Sequence, residues 1–190
     1  MNNSKLHHCI NKPLSFFDKL QLYADYIGAI SGVVTILILN SLGRLPNWTI
    51  YSFWTGILLC APFEYIQPRL GWVYYYKCIT YKLAPFKIMW IIHAIWDSFI
   101  LYIIMYITYT LWGEHILRNF VPSAALFMSF LGMAQEIVIE CYETLWYYIP
   151  TKFNPTWAVI RGRNMTLQQW HWSILPIAYY MIFLYYTYHD

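Results

Sequence analysis

The sequence predicts an all-α integral membrane protein: a bundle of about five transmembrane helices, N-terminus cytosolic and C-terminus outside. Three observations predict it. Hydrophobic residues make up 59% of the chain and charged residues only 11%, far from the balance of a globular domain. About five apolar stretches approach or exceed the roughly 20 residues that cross a bilayer. The lysines and arginines, finally, fall almost entirely on one side of those stretches.

The first segment, residues 1–19, reads as a cytosolic lead with a short amphipathic stretch, "PLSFFDKL". It has neither the continuous apolar core nor the small-residue cleavage site of a signal peptide. Residues 20–190 then form a single polytopic transmembrane domain, with spans at about 20–42, 48–66, 88–112, 122–149 and 168–188. Pro122 suits a helix start and Pro150 a helix stop. A fourth span of about 28 residues would be about 42 Å long at 1.5 Å each, so it must tilt or protrude. The two long inner loops, "QPRLGWVYYYKCITYKLAPFK" and "TKFNPTWAVIRGRNMTLQQWHW", mix aromatic and basic residues as interfacial or re-entrant segments do.

Charge sets the orientation. Lys5, Lys12, Lys19, Arg69, Lys77, Lys82, Lys87, Lys152, Arg161 and Arg163 share one side, which leaves only Arg44 and Arg118 for the other. Outer loops are short, "GRLPN" and "GEHILRN", with no room for an external domain. A net charge of +3 is too small to argue for nucleic acid. The four cysteines show no metal-ligand or redox spacing, and no disulfides are expected. P-loop, dinucleotide-binding and Ser-His-Asp patterns do not occur, and no lysine lies inside a span to anchor a Schiff base.

The chemistry-bearing residues gather on the inner side. Glu136, Glu140 and Glu143 are spaced i, i+4, i+7 and share one helix face. His93 and Asp97 are i, i+4 on the preceding span, which runs antiparallel. Counting from the inner ends, His93 lies about 7.5 Å deep and Asp97 about 13.5 Å, against about 9 Å for Glu143, 13.5 Å for Glu140 and 19.5 Å for Glu136. The levels match. Asp25 is read as interfacial. Glu64 either joins the site or snorkels toward Arg69. No acid or histidine lies in the outer half of any span, so the pattern describes a vestibule and not a pore. An acid inside a membrane is costly and a functional candidate by default.

Clustered carboxylates in a low-dielectric site cannot all ionise at once, so protons are shared among them. Such a site can protonate an alkene or ring oxygen, and its acids and aromatic faces can stabilise a carbocation. Glu140 and Asp97 form the central pair of this reading. Glu136 is the deep protonated acid, and Glu143 with His93 the relay to the cytosol. Glu64, His171, Trp96, Tyr142 and Trp146 are the candidate substrate contacts. The "HAIWD" helix followed by a Glu-bearing helix is loosely similar to the His/acid pattern of the emopamil-binding isomerases. In that family these helices come earlier in the bundle. The resemblance implies isomerisation of a hydrophobic lipid by a metal-independent site, carried here by His93, Asp97 and the glutamates.

Other classes stay open. The acid count would satisfy a di-iron or zinc centre, but no ExxH or HExxH pair occurs, so neither metal nor cofactor is expected. Proton- or cation-coupled transport uses similar relays, and a non-catalytic lipid-binding protein or complex subunit is the third class. The expected partner is a membrane lipid or hydrophobic small molecule. Gly28, Ala29, Ser31 and Gly32 could pack a second copy closely, making a homo-oligomer possible.

Overall fold

The structure is a computed structural model, and it describes residues 16–67, 69–70, 73–74, 86–142 and 147–189. Five long helices dominate: α1 (Phe16–Ser41), α2 (Asn47–Ile66), α3 (Phe86–Asn119), α4 (Val121–Tyr142) and α5 (His171–His189). The apolar runs of the sequence account for all five. α3 is the hub, packing against α1, α2, α4 and α5. Gly113 interrupts it with φ 74°, a backbone region open to glycine and little else. The predicted outer loop "GEHILRN" is therefore a short helical turn hinged at Gly113.

On α1 the inward stripe is Asp25, Ala29, Gly32 and Ile36, while Ile27, Ile30, Val34, Leu37 and Ile38 face out. Gly28 and Gly32 bring α1 tight against α3. A Cβ on Gly28 would run into the Trp96 ring, and one on Gly32 would sit 2.8 Å from Phe99. The small-residue face expected to pack a second copy thus receives a helix of the same chain; of that set, only Ser31 stays exposed.

A second close approach sets α4 on α5. Pro176 lies inside α5, and proline cannot donate to the carbonyl four residues back, here Trp172. Gly132 of α4 abuts that carbonyl, and any Cβ there would collide with it and lie 2.6 Å from the Pro176 ring. Glu136 is the next inward-facing position of α4, one turn on.

Burial is inverted relative to a water-soluble domain. Phe53, Leu101, Met105, Tyr179, Tyr180 and Phe183 fill the centre, yet Leu58, Leu111, Leu126, Phe130, Ile174 and Met181 stand exposed around the outside. An apolar girdle of this extent marks a surface made for something other than water. Three stretches, Tyr23–Ser41, Trp90–Asn119 and Val121–Ile139, are long and apolar enough to cross a membrane.

The chain is not purely helical. Val73–Tyr74 pairs antiparallel with Tyr147–Tyr148, and Thr156–Ile160 pairs with Arg163–Thr166 across the Arg161–Gly162 turn. We number these β1 to β4. Two expectations are corrected here. The fourth helix ends at Tyr142 and not at Ile149, because Tyr147 and Tyr148 are extended. At 22 residues its length is about 33 Å, close to a bilayer core. The loop between α4 and α5 is a β-hairpin followed by a 3-10 turn, Leu167–Trp170, and not a re-entrant segment. Most of the loop before α3, residues 1–15, Glu143 and Trp146 lie outside the described residues.

Candidate functional site

Each of the five helices delivers a titratable side chain to one end of the bundle. Asp25 comes from α1, Glu64 from the last turn of α2, His93 and Asp97 from α3, Glu136 from α4, and His171 opens α5. Asp25, Glu64, His93, Asp97 and Glu136 are all buried, none more than 9% exposed. Such burial is rare for acids unless they are paired.

His93 organises the cluster. Its Nε2 lies 3.6 Å from Asp25 Oδ2, and its Nδ1 lies 3.4 Å from Glu64 Oε2. One imidazole therefore bridges two carboxylates on two other helices. Glu64 is also within interaction range of Asp97, which in turn senses Glu136. Asp25, His93, Glu64 and Asp97 form a series across α1 to α3, and Glu136 of α4 lines the same cavity. Among these described groups one imidazole meets four carboxyls, a composition in which protons can be shared.

A cavity of about 40 Å³ opens beside it, lined by Glu64, His93, Asp97, Glu136, Trp96 and Trp172, with Gln67, Ile100, Ile139, Tyr148 and His171. That is room for a few ordered waters, at about 10–15 Å³ each on this measure. Polar groups and aromatic walls meet in the same small space.

The β segments close this end. Tyr148 Oη donates to Glu136 Oε1 at 3.0 Å, and Gln169 Nε2 donates to the same oxygen at 2.9 Å. Gln168 Nε2 donates to Gln67 Oε1, and its backbone N–H donates to Asn154 Oδ1 at 2.8 Å. His171 Nδ1 lies 2.7 Å from the Gln168 carbonyl, and its ring stacks on Phe63.

Of the residues singled out in the sequence, the structure brings together His93, Asp97, Glu136, Glu64, His171 and Trp96. Glu140 and Tyr142 lie on α4 but their side chains are outside the described set, as are Glu143 and Trp146 altogether. Asp25 corrects the interfacial reading: it is buried against His93. Glu64 points inward, while Arg69 turns back to donate to the Tyr65 carbonyl and cover its ring. Tyr148, Gln169 and Gln67 were not foreseen. Their signal was faint, since "YYIP" and "LQQW" read as span ends. Among the described residues no three His, Cys, Asp or Glu side chains converge with metal-holding geometry.

No family model, curated protein or solved structure matches the chain. What the site can do must come from its own chemistry.

Proposed function

We propose that the chain crosses the membrane with all five helices, N-terminus in the cytosol, and carries a cytosol-facing acid–base site for a hydrophobic lipid or terpenoid substrate. The reaction is of the isomerase or cyclase type. One observation carries the reading: four helices each commit a titratable group to one cavity that tryptophans also line, and α1 sets Asp25 behind the His93 that lines it. A fold that needed only polar glue between helices would spread such groups along its length. Concentrating them beside Trp96 and Trp172 suits a substrate that is apolar at rest and gains positive charge during reaction.

In this reading Asp97, at the end of the series, delivers the proton to substrate. Glu64 and His93 resupply it, with Asp25 holding the far side of the imidazole. Glu136 receives the proton that leaves. No net proton is consumed, as an isomerisation requires. α2 and α5, at 20 and 19 residues, reach about 30 Å, enough to cross. Their Tyr, Trp and Pro content lowers their hydropathy without shortening them.

A proton-coupled transporter is the second reading, and the series from Asp25 to Asp97, with Glu136 on the same cavity, is the observation that favours it. Against it, the buried polar groups described in the opposite half of the bundle, Thr49, Ser52, Thr108 and Thr187, are neutral, and the Glu114–Arg118 pair there is partly exposed at the bundle's end.

The test is native mass spectrometry of gently extracted full-length protein, followed by incubation in D₂O. Acid–base chemistry on a lipid predicts a co-purifying lipid that takes up carbon-bound deuterium, and an Asp97→Asn variant that binds it without exchange. A lipid that never gains deuterium leaves a carrier. Proton flux across liposomes, with no lipid exchange, would establish the transporter.

A further inference from the structure

The amide of Gln169 cannot turn round. Its Oε1 accepts the Thr166 backbone N–H at 2.7 Å, one half of a capping box at the 3-10 turn. That fixes Nε2 on the other side, where it donates to Glu136 Oε1 at 2.9 Å and to the Met165 sulfur at 3.5 Å. Gln169, Met165 and Thr166 are all fully buried, so water does not compete for these groups. The side chain is oriented by the β4 backbone, and the oxygen it faces can only be an acceptor.

Tyr148 adds a second donor to the same oxygen. Neither donor comes from the helix that bears Glu136. Both come from the β-rich segment that closes the cavity, and both reach across to α4. Asp97 is differently placed: among the described groups near it are the carboxyls of Glu64 and Glu136 and the imidazole of His93. Two acids thus line one cavity with different neighbours: Glu136 accepts from two neutral donors, while Asp97 sits among carboxyls and an imidazole. Differing environments of that kind divide acid from base between paired carboxyls.

We propose that Gln169 is a positioning residue that fixes Glu136 as the proton acceptor of the cavity, with Tyr148 as its partner donor. It touches no substrate and acts only through Glu136. This rests on the acid–base reading above and deepens it, because it assigns direction: Asp97 gives the proton and Glu136 takes it. It also replaces the sequence-based role of Glu136 as the deep protonated acid.

A carbodiimide reads this without any known substrate. Dicyclohexylcarbodiimide enters apolar sites and forms a stable N-acylurea only with carboxyls that carry a proton. The full chain in nanodiscs is treated briefly, and each acid is quantified by peptide mass spectrometry. The wild type is expected to label at Asp97 well above Glu136. Gln169→Met keeps the volume and removes the donor, and should raise the Glu136-to-Asp97 ratio about tenfold, the scale of one lost hydrogen bond to a charged group. Tyr148→Phe should raise it as well, and Gln169→Glu should raise it most, placing an acid against an acid. Because both acids are counted in the same molecule, a variant that merely loosens the fold changes both and leaves the ratio near one wild-type value. Equal labelling of Glu136 and Asp97 in the wild type, or an unchanged ratio in Gln169→Met, overturns the assignment of Gln169 alone. Labelling at none of Asp25, Glu64, Asp97 or Glu136 overturns the acid–base site itself, and the positioning role with it.

Discussion

The Nδ1 of His93 lies 3.4 Å from Glu64 while its Nε2 lies 3.6 Å from Asp25, so one imidazole ties α1 to α2 through α3. Buried ion pairs contribute little net stability, but breaking one strands a charge in low dielectric. His93→Ala removes the group that Asp25 and Glu64 both face. It should cost about 3–5 kcal/mol, the usual penalty for removing one partner of a buried pair, measured by denaturant titration in detergent micelles. His93→Ala combined with Asp25→Asn and Glu64→Gln should recover much of that loss. A single variant as stable as wild type would mean that His93 does not hold the helices together.

Asp97 sits at the meeting point of Glu64, His93 and Glu136, and Asn is nearly its isostere. Asp97→Asn should fold and extract normally yet lose about 10²–10⁴-fold in deuterium transfer to bound lipid, the range of general acid catalysis. Glu140→Gln, the variant that the helical stripe singles out, should also abolish transfer while leaving folding intact. Full exchange in the first variant would remove Asp97 from the reaction; full exchange in the second would remove Glu140.

Where α4 crosses α5, Gly132 meets the Trp172 carbonyl that Pro176 leaves without its helical donor. The neighbour is backbone, so a side chain there has nothing flexible to push aside. Gly132→Ala should destabilise by about 1–3 kcal/mol, as overpacking does, and should separate Glu136 from Gln169. Gly43→Ala is a poor control, since Gly43 has φ 62°; Ser129→Ala, on the half-buried face of the same helix, is the better one. Equal stability of Gly132→Ala and Ser129→Ala would show that α4 and α5 are less closely seated than described.

The helices were legible because a run of twenty apolar residues has few other uses. The level of each residue along its helix was legible too, since the rise is fixed at 1.5 Å per residue, and this placed His93 and Asp97 at the level of a glutamate face on α4. What could not be read was anything set by chain reversal. "YETLWYYIP" is as apolar as the helix it follows, so nothing marked the end of α4 at Tyr142. The hairpin turns through Arg161 and Gly162, both at positive φ, and an Arg at that position is a weak turn signal beside Asn or Asp. With the hairpin unforeseen, Tyr148 and Gln169 could not be brought to Glu136. Asp25 was misjudged for another reason: its place near a helix end suggested the interface, and only the approach of Gly28 to Trp96 draws it onto His93.

The last prediction concerns how many helices cross. Three are long and apolar enough by composition, while α2 and α5 carry the aromatic and proline residues that depress hydropathy. If all five cross, the α1–α2 turn and the hairpin before α5 lie on opposite faces of the membrane. On a cysteine-free background, Arg44→Cys and Lys152→Cys place single thiols at these two exposed positions. An impermeant maleimide added to sealed, right-side-out vesicles should label Arg44→Cys at once and Lys152→Cys only after permeabilisation. His189→Cys, at the exposed end of α5, should label with Arg44→Cys if α5 spans. Labelling of both Arg44→Cys and Lys152→Cys without permeabilisation, or the reverse order, would mean that α2 does not span or that the N-terminus is outside. Either result would place the carboxylate cavity on the other face and remove its cytosolic mouth.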